Sequence, residues 1–207
     1  MIRFCKRLVA VLVFAALAAA GLVLWTAPDP AYKAQSWLAL GRFSTYDAMI
    51  ADAARKRGLD PLLVKAMVWR ESAFDPSKIG TSGERGLMQV GEAAAQDWAE
   101  AEKIENFVPT DLFDAETNLK AGTWYFKKGL ERWKQKAEPV PFALADYNAG
   151  HRHVERWLAT TERGEEATAE QLLRAIDFPT TRKYIEVITA RQRFYQQAAG
   201  ATEPSSR

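Results

Sequence analysis

"DPLLVKAMVWRES", residues 60–72, decides the fold class. Asp60-Pro61 joins a side chain that caps a helix N-terminus to a residue preset for the first helical turn. From Leu62 to Trp69 every residue except Lys65 is apolar. A helix apolar on nearly all sides is one that other elements surround. The segment should stop near Ser72, ahead of Asp75-Pro76, because a residue before proline avoids helical backbone.

Reading outward, the same periodicity recurs on both sides. Toward the N-terminus, Ser44 or Thr45 can cap a helix with Tyr46, Met49, Ile50 and Ala53 on one face, ending at Gly58. Toward the C-terminus, helices are expected at about 87–103, at 114–136 behind an Asp114 cap, from Pro141 to Asn148-Ala149-Gly150, and near 152–160. Thr168-x-x-Gln171 is a capping box for a short helix to Ile176. A last helix spans about 181–198, with Tyr184, Val187, Ile188, Arg191 and Phe194 on one stripe. No convincing strand alternation and no internal repeat is found. The expectation is an all-α domain over residues 44–198 with a flexible tail at 199–207.

The N-terminus has a different character. Arg3, Lys6 and Arg7 lead into Leu8–Trp25, eighteen residues without a charge, and spanning a bilayer takes about 17–25 apolar residues. Ala18-Ala19-Ala20 offers a cleavage site for a secretory signal, but Leu22-Val23-Leu24-Trp25 prolongs the run beyond it. The sequence favours a retained transmembrane anchor at 1–25, with a cleaved signal as the alternative. A tether at 26–43, stiffened by Pro28 and Pro30, follows. The basic residues keep the N-terminus inside, so the domain faces the periplasm or cell exterior.

Charge narrows the partners. The net charge of +2 loses its basic excess once Arg3, Lys6 and Arg7 are set aside, leaving 25 basic against 26 acidic residues. That balance excludes a nucleic-acid clamp. Cys5 is the single cysteine, so no internal disulfide forms. His151 and His153 are the only histidines, too few for a metal site that wants about three ligands. Trp98, Trp124, Trp133 and Trp157 are expected to pack in the core, and Lys127, Lys128 and Arg132 to form a solvated helix face.

The apolar helix ends on one carboxylate, Glu71. Desolvation and the negative end of the helix dipole both favour its protonated form. A proton held near neutral pH is what a general acid requires. A surface glutamate paired with Arg70 or Arg85 is the plain alternative. Glycoside cleavage usually takes a second carboxylate, for which Asp75, Glu84, Glu92 and Asp146 are candidates. None has a claim from spacing. A substrate with a 2-acetamido group can supply its own nucleophile instead.

Glu71-Ser72, Gly86-Leu87-Met88-Gln89 and Tyr147-Asn148-Ala149-Gly150 together resemble the signatures of the soluble lytic transglycosylase catalytic domain. That family has a lysozyme-like helical fold related to goose-type lysozyme. Ile176–Tyr184 resembles its closing motif, so the likeness covers about residues 46–196. It implies that Glu71 is the catalytic acid and base, with Ser72 orienting the carboxyl or touching substrate. Met88 and Gln89 would line the groove, Tyr147 would stabilise developing positive charge, Asn148 would bond an acetamido group, and Tyr184 would close the far wall. Thr180, Asp177, Asp146, and Gly91-Glu92 depart from the pattern, which leaves Glu71 intact but affects groove contacts.

The implied reaction cuts the N-acetylmuramic acid–N-acetylglucosamine bond of peptidoglycan without water, giving 1,6-anhydromuramoyl ends with no cofactor. The alternatives are a lysozyme-type muramidase on the same bond, in which Asp146 or Glu92 could be the second carboxylate, and a non-catalytic peptidoglycan-binding module. The expected partners are glycan strands and, through residues 1–25, the membrane. Protein partners are not legible.

Overall fold

The structure, a computed structural model, describes residues 2–26, 30–38 and 41–200. Two units divide it, Met1–Thr45 and Tyr46–Arg207. In the first, α1 (Ile2–Thr26) is followed by α2 (Pro30–Leu38) and a single turn, α3 (Arg42–Thr45). The stretch read as a tether is therefore helical over 30–38. Pro30 opens α2, where its missing N–H costs nothing, and Ala, Lys, Gln and Leu favour helix thereafter. Tyr32 lies 5.4 Å, ring to ring, from Phe43. Among the described residues no helix is long and apolar enough to cross a membrane. The side chains of residues 1–11 and 24, on which much of the anchor reading rests and which include Cys5, lie outside those described.

The second unit holds α4 (Asp47–Lys56), α5 (Pro61–Ser72), α6 (Glu92–Ala101), α7 (Ala115–Arg132), α8 (Pro139–Ala149), α9 (His151–Ala159), α10 (Ala169–Ala175) and α11 (Pro179–Gly200). Short 3-10 turns stand at Pro109–Phe113 and Gly164–Glu166. Helix α5 is enclosed as its composition requires: Leu63, Val64, Ala66, Met67 and Val68 are buried between α4 and α11. Each of the larger side chains contributes about 1.5–3 kcal/mol by leaving water. Asp60 caps α5 by accepting the Leu62 N–H at 2.8 Å, and its Oδ2 accepts from Gln192 of α11 at 2.7 Å. Helix α8 packs against α7, α9 and α11, so α11 contacts both α5 and α8.

Local signals held where they are local. Asp114 accepts the Thr117 N–H at 2.8 Å, and Thr168 with Gln171 forms the reciprocal box. Ser44 and Thr45 do not cap α4. Their hydroxyls donate back to the Gly41 carbonyl inside α3, and α4 starts after Tyr46 without a side-chain cap. The helix expected from 87 begins only at Glu92. Residues 79–90 form a tight loop with antiparallel bridges Ile79–Arg85 and Arg85–Val90. On α11 the buried face runs through Thr181, Tyr184, Ile185, Ile188, Arg191 and Tyr195. It is a single stripe turned toward Thr181, Ile185 and Tyr195, with Val187 and Phe194 half-buried at its edge. The helix also continues to Gly200, into the expected tail; residues 201–207 lie outside the described residues.

Candidate active site

Helix α5 delivers Glu71 to a cleft of about 380 Å³ lined by Arg70, Glu71, Lys78, Ile79, Gly80, Thr81, Glu84, Gln89, Tyr147 and Asn148. The helix stops one residue later because Ala73 and Phe74 both take left-handed backbone, with φ of 50° and 62°. Asp75 then closes a turn by accepting the Ser77 N–H and hydroxyl, at 3.0 and 2.7 Å. Lys78 reaches back to donate to the Glu71 backbone carbonyl, one of the acceptors a helix end leaves open.

The Glu71 carboxyl is partly buried, and Tyr184 of α11 donates to its Oε1 at 2.6 Å. Desolvation pushes its pKa up to about 7 against the opposing pull of the Tyr184 hydrogen bond and of Arg70 and Lys78; the charge of Glu84 adds to the rise. Tyr184 is fully buried. Burial and the Glu71 charge hold its phenol and that of Tyr147 well above the usual tyrosine range, so both keep their protons.

The Gly86-Leu87-Met88-Gln89 turn is built from behind. Asn118 of α7 is buried and accepts the Met88 N–H at 2.8 Å, while its amide donates to Arg85 and Leu112 carbonyls at 2.7 and 2.8 Å. Gly86 has φ +74°, and a Cβ there would meet the Asn118 amide and the Leu112 carbonyl at 2.3 Å. Only glycine lets the turn lie on Asn118. Gly122 is the same device for Met88, whose Sδ would sit 2.6 Å from an added Cβ.

Of the seven residues singled out from sequence, Glu71, Gln89, Tyr147 and Asn148 line the cleft, and Tyr184 stands behind the Glu71 carboxyl. Ser72 and Met88 do not line it. The Ser72 hydroxyl is buried between the Val68 and Leu87 carbonyls, at 3.2 and 2.8 Å, and pins the turn to α5. The Met88 side chain is fully buried against α7, leaving its carbonyl to accept from the Tyr147 hydroxyl at 2.9 Å. Gln89 has φ 48°, and its amide donates to the Lys78 and Gly86 carbonyls at 3.0 Å each. Asn148 accepts from the Thr181 hydroxyl at 2.7 Å. With its oxygen on Thr181, its NH₂ faces the other way, and Asn148 lines the cleft.

The departures from the family pattern also find places. Asp146 points away from the cleft, buried and paired with Arg132 and with the Trp133 indole N–H at 3.0 Å. It is no second carboxylate, and Arg132, exposed as expected, also pairs with it. Asp177 takes both nitrogens of Arg156, at 2.7 and 2.8 Å, and the Trp157 indole at 2.6 Å, which lowers its pKa to about 2. The pair ties α9 to the start of α11. Glu92 is exposed at the start of α6, 3.6 Å from Arg85. Thr180 is exposed.

Trp98, Trp133 and Trp157 are buried, whereas Trp124 is half-buried with Lys128 over its ring at 4.5 Å. His153 packs against Phe178 with the rings tilted, 4.9 Å between centroids. Among the described residues no group of three or more His, Cys, Asp or Glu could hold a metal ion. Sequence reading missed Asn118, which carries the 86–89 turn; its one signal is a polar residue beside Leu119 on the buried face of a helix.

Known proteins share the sequence pattern and the fold of this chain. The transglycosylase SLT domain family matches residues 48–169. The chain is 34% identical over 116 residues to a membrane-bound lytic murein transglycosylase F of Desulfosudis oleivorans, covering 55% of this chain and 24% of that protein. It is 29% identical over 136 residues to the soluble lytic murein transglycosylase of Escherichia coli, covering 65% and 20%. The chain thus spans about a quarter or less of the length of these relatives. The crystal structure of the 70 kDa soluble lytic transglycosylase of Escherichia coli superposes with a TM-score of 0.65 at 26% identity, over 75% of this chain and 24% of that one. The lytic transglycosylase Slt of Pseudomonas aeruginosa has the same fold, with a TM-score of 0.69 at 24% identity over 84% of this chain and 28% of that one. With the matched region covering more than half of its length and holding Glu71, the turn and Tyr147-Asn148, this chain belongs to the transglycosylase SLT domain family.

Proposed function

We propose that the protein is a peptidoglycan lytic transglycosylase in which Glu71 first donates and then accepts the proton of the transglycosylation. The observation that carries this reading is a carboxyl whose pKa is raised to about 7 in an open cleft, hydrogen-bonded to a buried tyrosine. Such an acid still holds its proton in about half of the molecules at pH 7, enough to donate it when the glycan binds.

Glu71 gives its proton to the oxygen bridging N-acetylmuramic acid and N-acetylglucosamine. As that C1–O bond breaks, the acetamido oxygen of the muramoyl residue bonds C1. Asn148, its oxygen already engaged by Thr181, directs its NH₂ to this group. The Tyr147 oxygen, its own proton donated to the Met88 carbonyl, turns its lone-pair density to the positive charge that develops. The muramoyl 6-hydroxyl then attacks C1, the acetamido oxygen leaves, and the Glu71 carboxylate takes the hydroxyl proton. The product ends are 1,6-anhydromuramoyl, and no water is consumed.

The active unit would work in the cell envelope, outside the cytoplasmic membrane. Support for a retained anchor comes from the sequence, where Arg3, Lys6 and Arg7 lead into an apolar run. The hydrocarbon core is about 30 Å thick, and Leu8–Trp25 carries no charge. Digestion of purified sacculi by the full chain tests the reaction. The expected result is release of fragments that Glu71→Gln, still folded, releases at least about 10³-fold more slowly. Equal release by the two proteins would overturn the assignment.

A further inference from the structure

Four carboxylates compete in the sequence for the place beside Glu71, and the structure disposes of three. Asp146 is buried with Arg132 and Trp133, Asp75 is engaged by the Ser77 turn, and Glu92 stands exposed on α6 near Arg85. Glu84 alone lines the cleft with Glu71. It is half-buried, and no Lys or Arg pairs with it among the described residues. The loop that carries it is braced: the Gly80 N–H donates to the Glu84 carbonyl at 2.7 Å, and Arg85 exchanges both backbone bonds with Val90 at 3.1 and 3.0 Å. The Ser82 N–H donates to Glu84 Oε2 at 3.0 Å, an arrangement suited to an ionised carboxylate. The carboxyl lies over Gly80, where a Cβ would come within 2.3 Å of Oε2. A side chain at 80 would displace it.

We propose that Glu84 is a second catalytic carboxylate of this cleft, the general base for a water that attacks the anomeric carbon, so that hydrolysed reducing ends are released beside anhydro ends. The inference rests on the reading of Glu71 given above. One carboxyl that keeps its proton and one that accepts hydrogen bonds are the complementary pair of a single-displacement glycosidase. In this branch the bond from water oxygen to C1 forms on the face opposite the leaving oxygen. The C1–O bond to the departing sugar breaks, that oxygen takes the Glu71 proton, and Glu84 takes a proton from the water. Glu71 ends as carboxylate and Glu84 as acid, and exchange with solvent resets both. One water is consumed per bond.

Digestion of sacculi by the full chain in H₂¹⁸O, with mass analysis of every new end, separates the branches. The wild type should release ¹⁸O-labelled reducing ends and unlabelled anhydro ends together. Glu84→Gln keeps an oxygen for the Ser82 N–H and should lower the ratio of labelled to anhydro ends at least about tenfold. Glu84→Asp, which keeps the charge, should retain part of that ratio and guards against a merely misfolded loop. Anhydro ends without any label in the wild type would overturn the role of Glu84 and leave Glu71 as proposed. A ratio unmoved in Glu84→Gln, with both products changed alike and a shifted pH profile, would mean that Glu84 acts only through the acidity of Glu71. Release of neither product would overturn both readings.

Discussion

A carboxyl at the end of a greasy helix raises a question that Tyr184 helps to answer. The hydrogen bond from Tyr184 stabilises ionised Glu71, yet burial outweighs it and the pKa stands at about 7. The consequence for stability has a definite sign. Unfolded, Glu71 releases its proton near 4.5; folded, it holds it to about 7. Below the first value its ionisation does not oppose folding. As pH rises through the second, stability of about 3 kcal/mol at most is lost. Glu71→Gln cannot ionise, so it should melt several degrees above wild type at pH 8 and level with it at pH 4, measured by circular dichroism. Asn148 is the second residue whose role can be isolated. If its NH₂ holds the acetamido group chiefly in the transition state, Asn148→Ala should lower kcat about 10²–10³-fold with little change in KM. A lower melting temperature with unchanged turnover would reduce it to a helix-end residue.

Elements differ in how far they could be read ahead of the structure. Asp60-Pro61 and the Thr168-x-x-Gln171 box were legible because a cap is settled within four residues. The apolar run of α5 was legible because nothing but burial suits it. The turn at 86–90 was not, since its residues are compatible with helix and its shape is imposed from α7, thirty residues on, through Asn118. For the same reason Met88 and Ser72 were read as groove residues: a motif marks that residues matter, not which way each side chain points. Pairings such as Asp146 with Arg132 lie on separate helices and leave no local trace. Asn118 is where this long-range construction is tested. Asn118→Ala removes a side-chain partner from the Met88 N–H and two carbonyls at once, a loss of about 2–4 kcal/mol. Urea unfolding should show that loss, and activity should fall with it because Met88 also anchors Tyr147.

In the whole second unit, parts distant in sequence converge on one proton. Helix α5 supplies the carboxyl, α11 the tyrosine that bonds it, α8 the phenol and amide on the cleft wall, and the loop at 79–90 the remaining wall. No isolated helix would shift Glu71 this far, because the dominant cause is desolvation by packing. The acidity of one side chain therefore reports on the assembled fold and on its chemistry together. A carboxyl-detected NMR titration of the full chain, with Glu71 assigned by loss of its signal in Glu71→Gln, measures it directly. A midpoint near 7 in the folded protein that drops to about 4.5 in urea is the predicted result. A folded midpoint already near 4.5 would contradict the general-acid account.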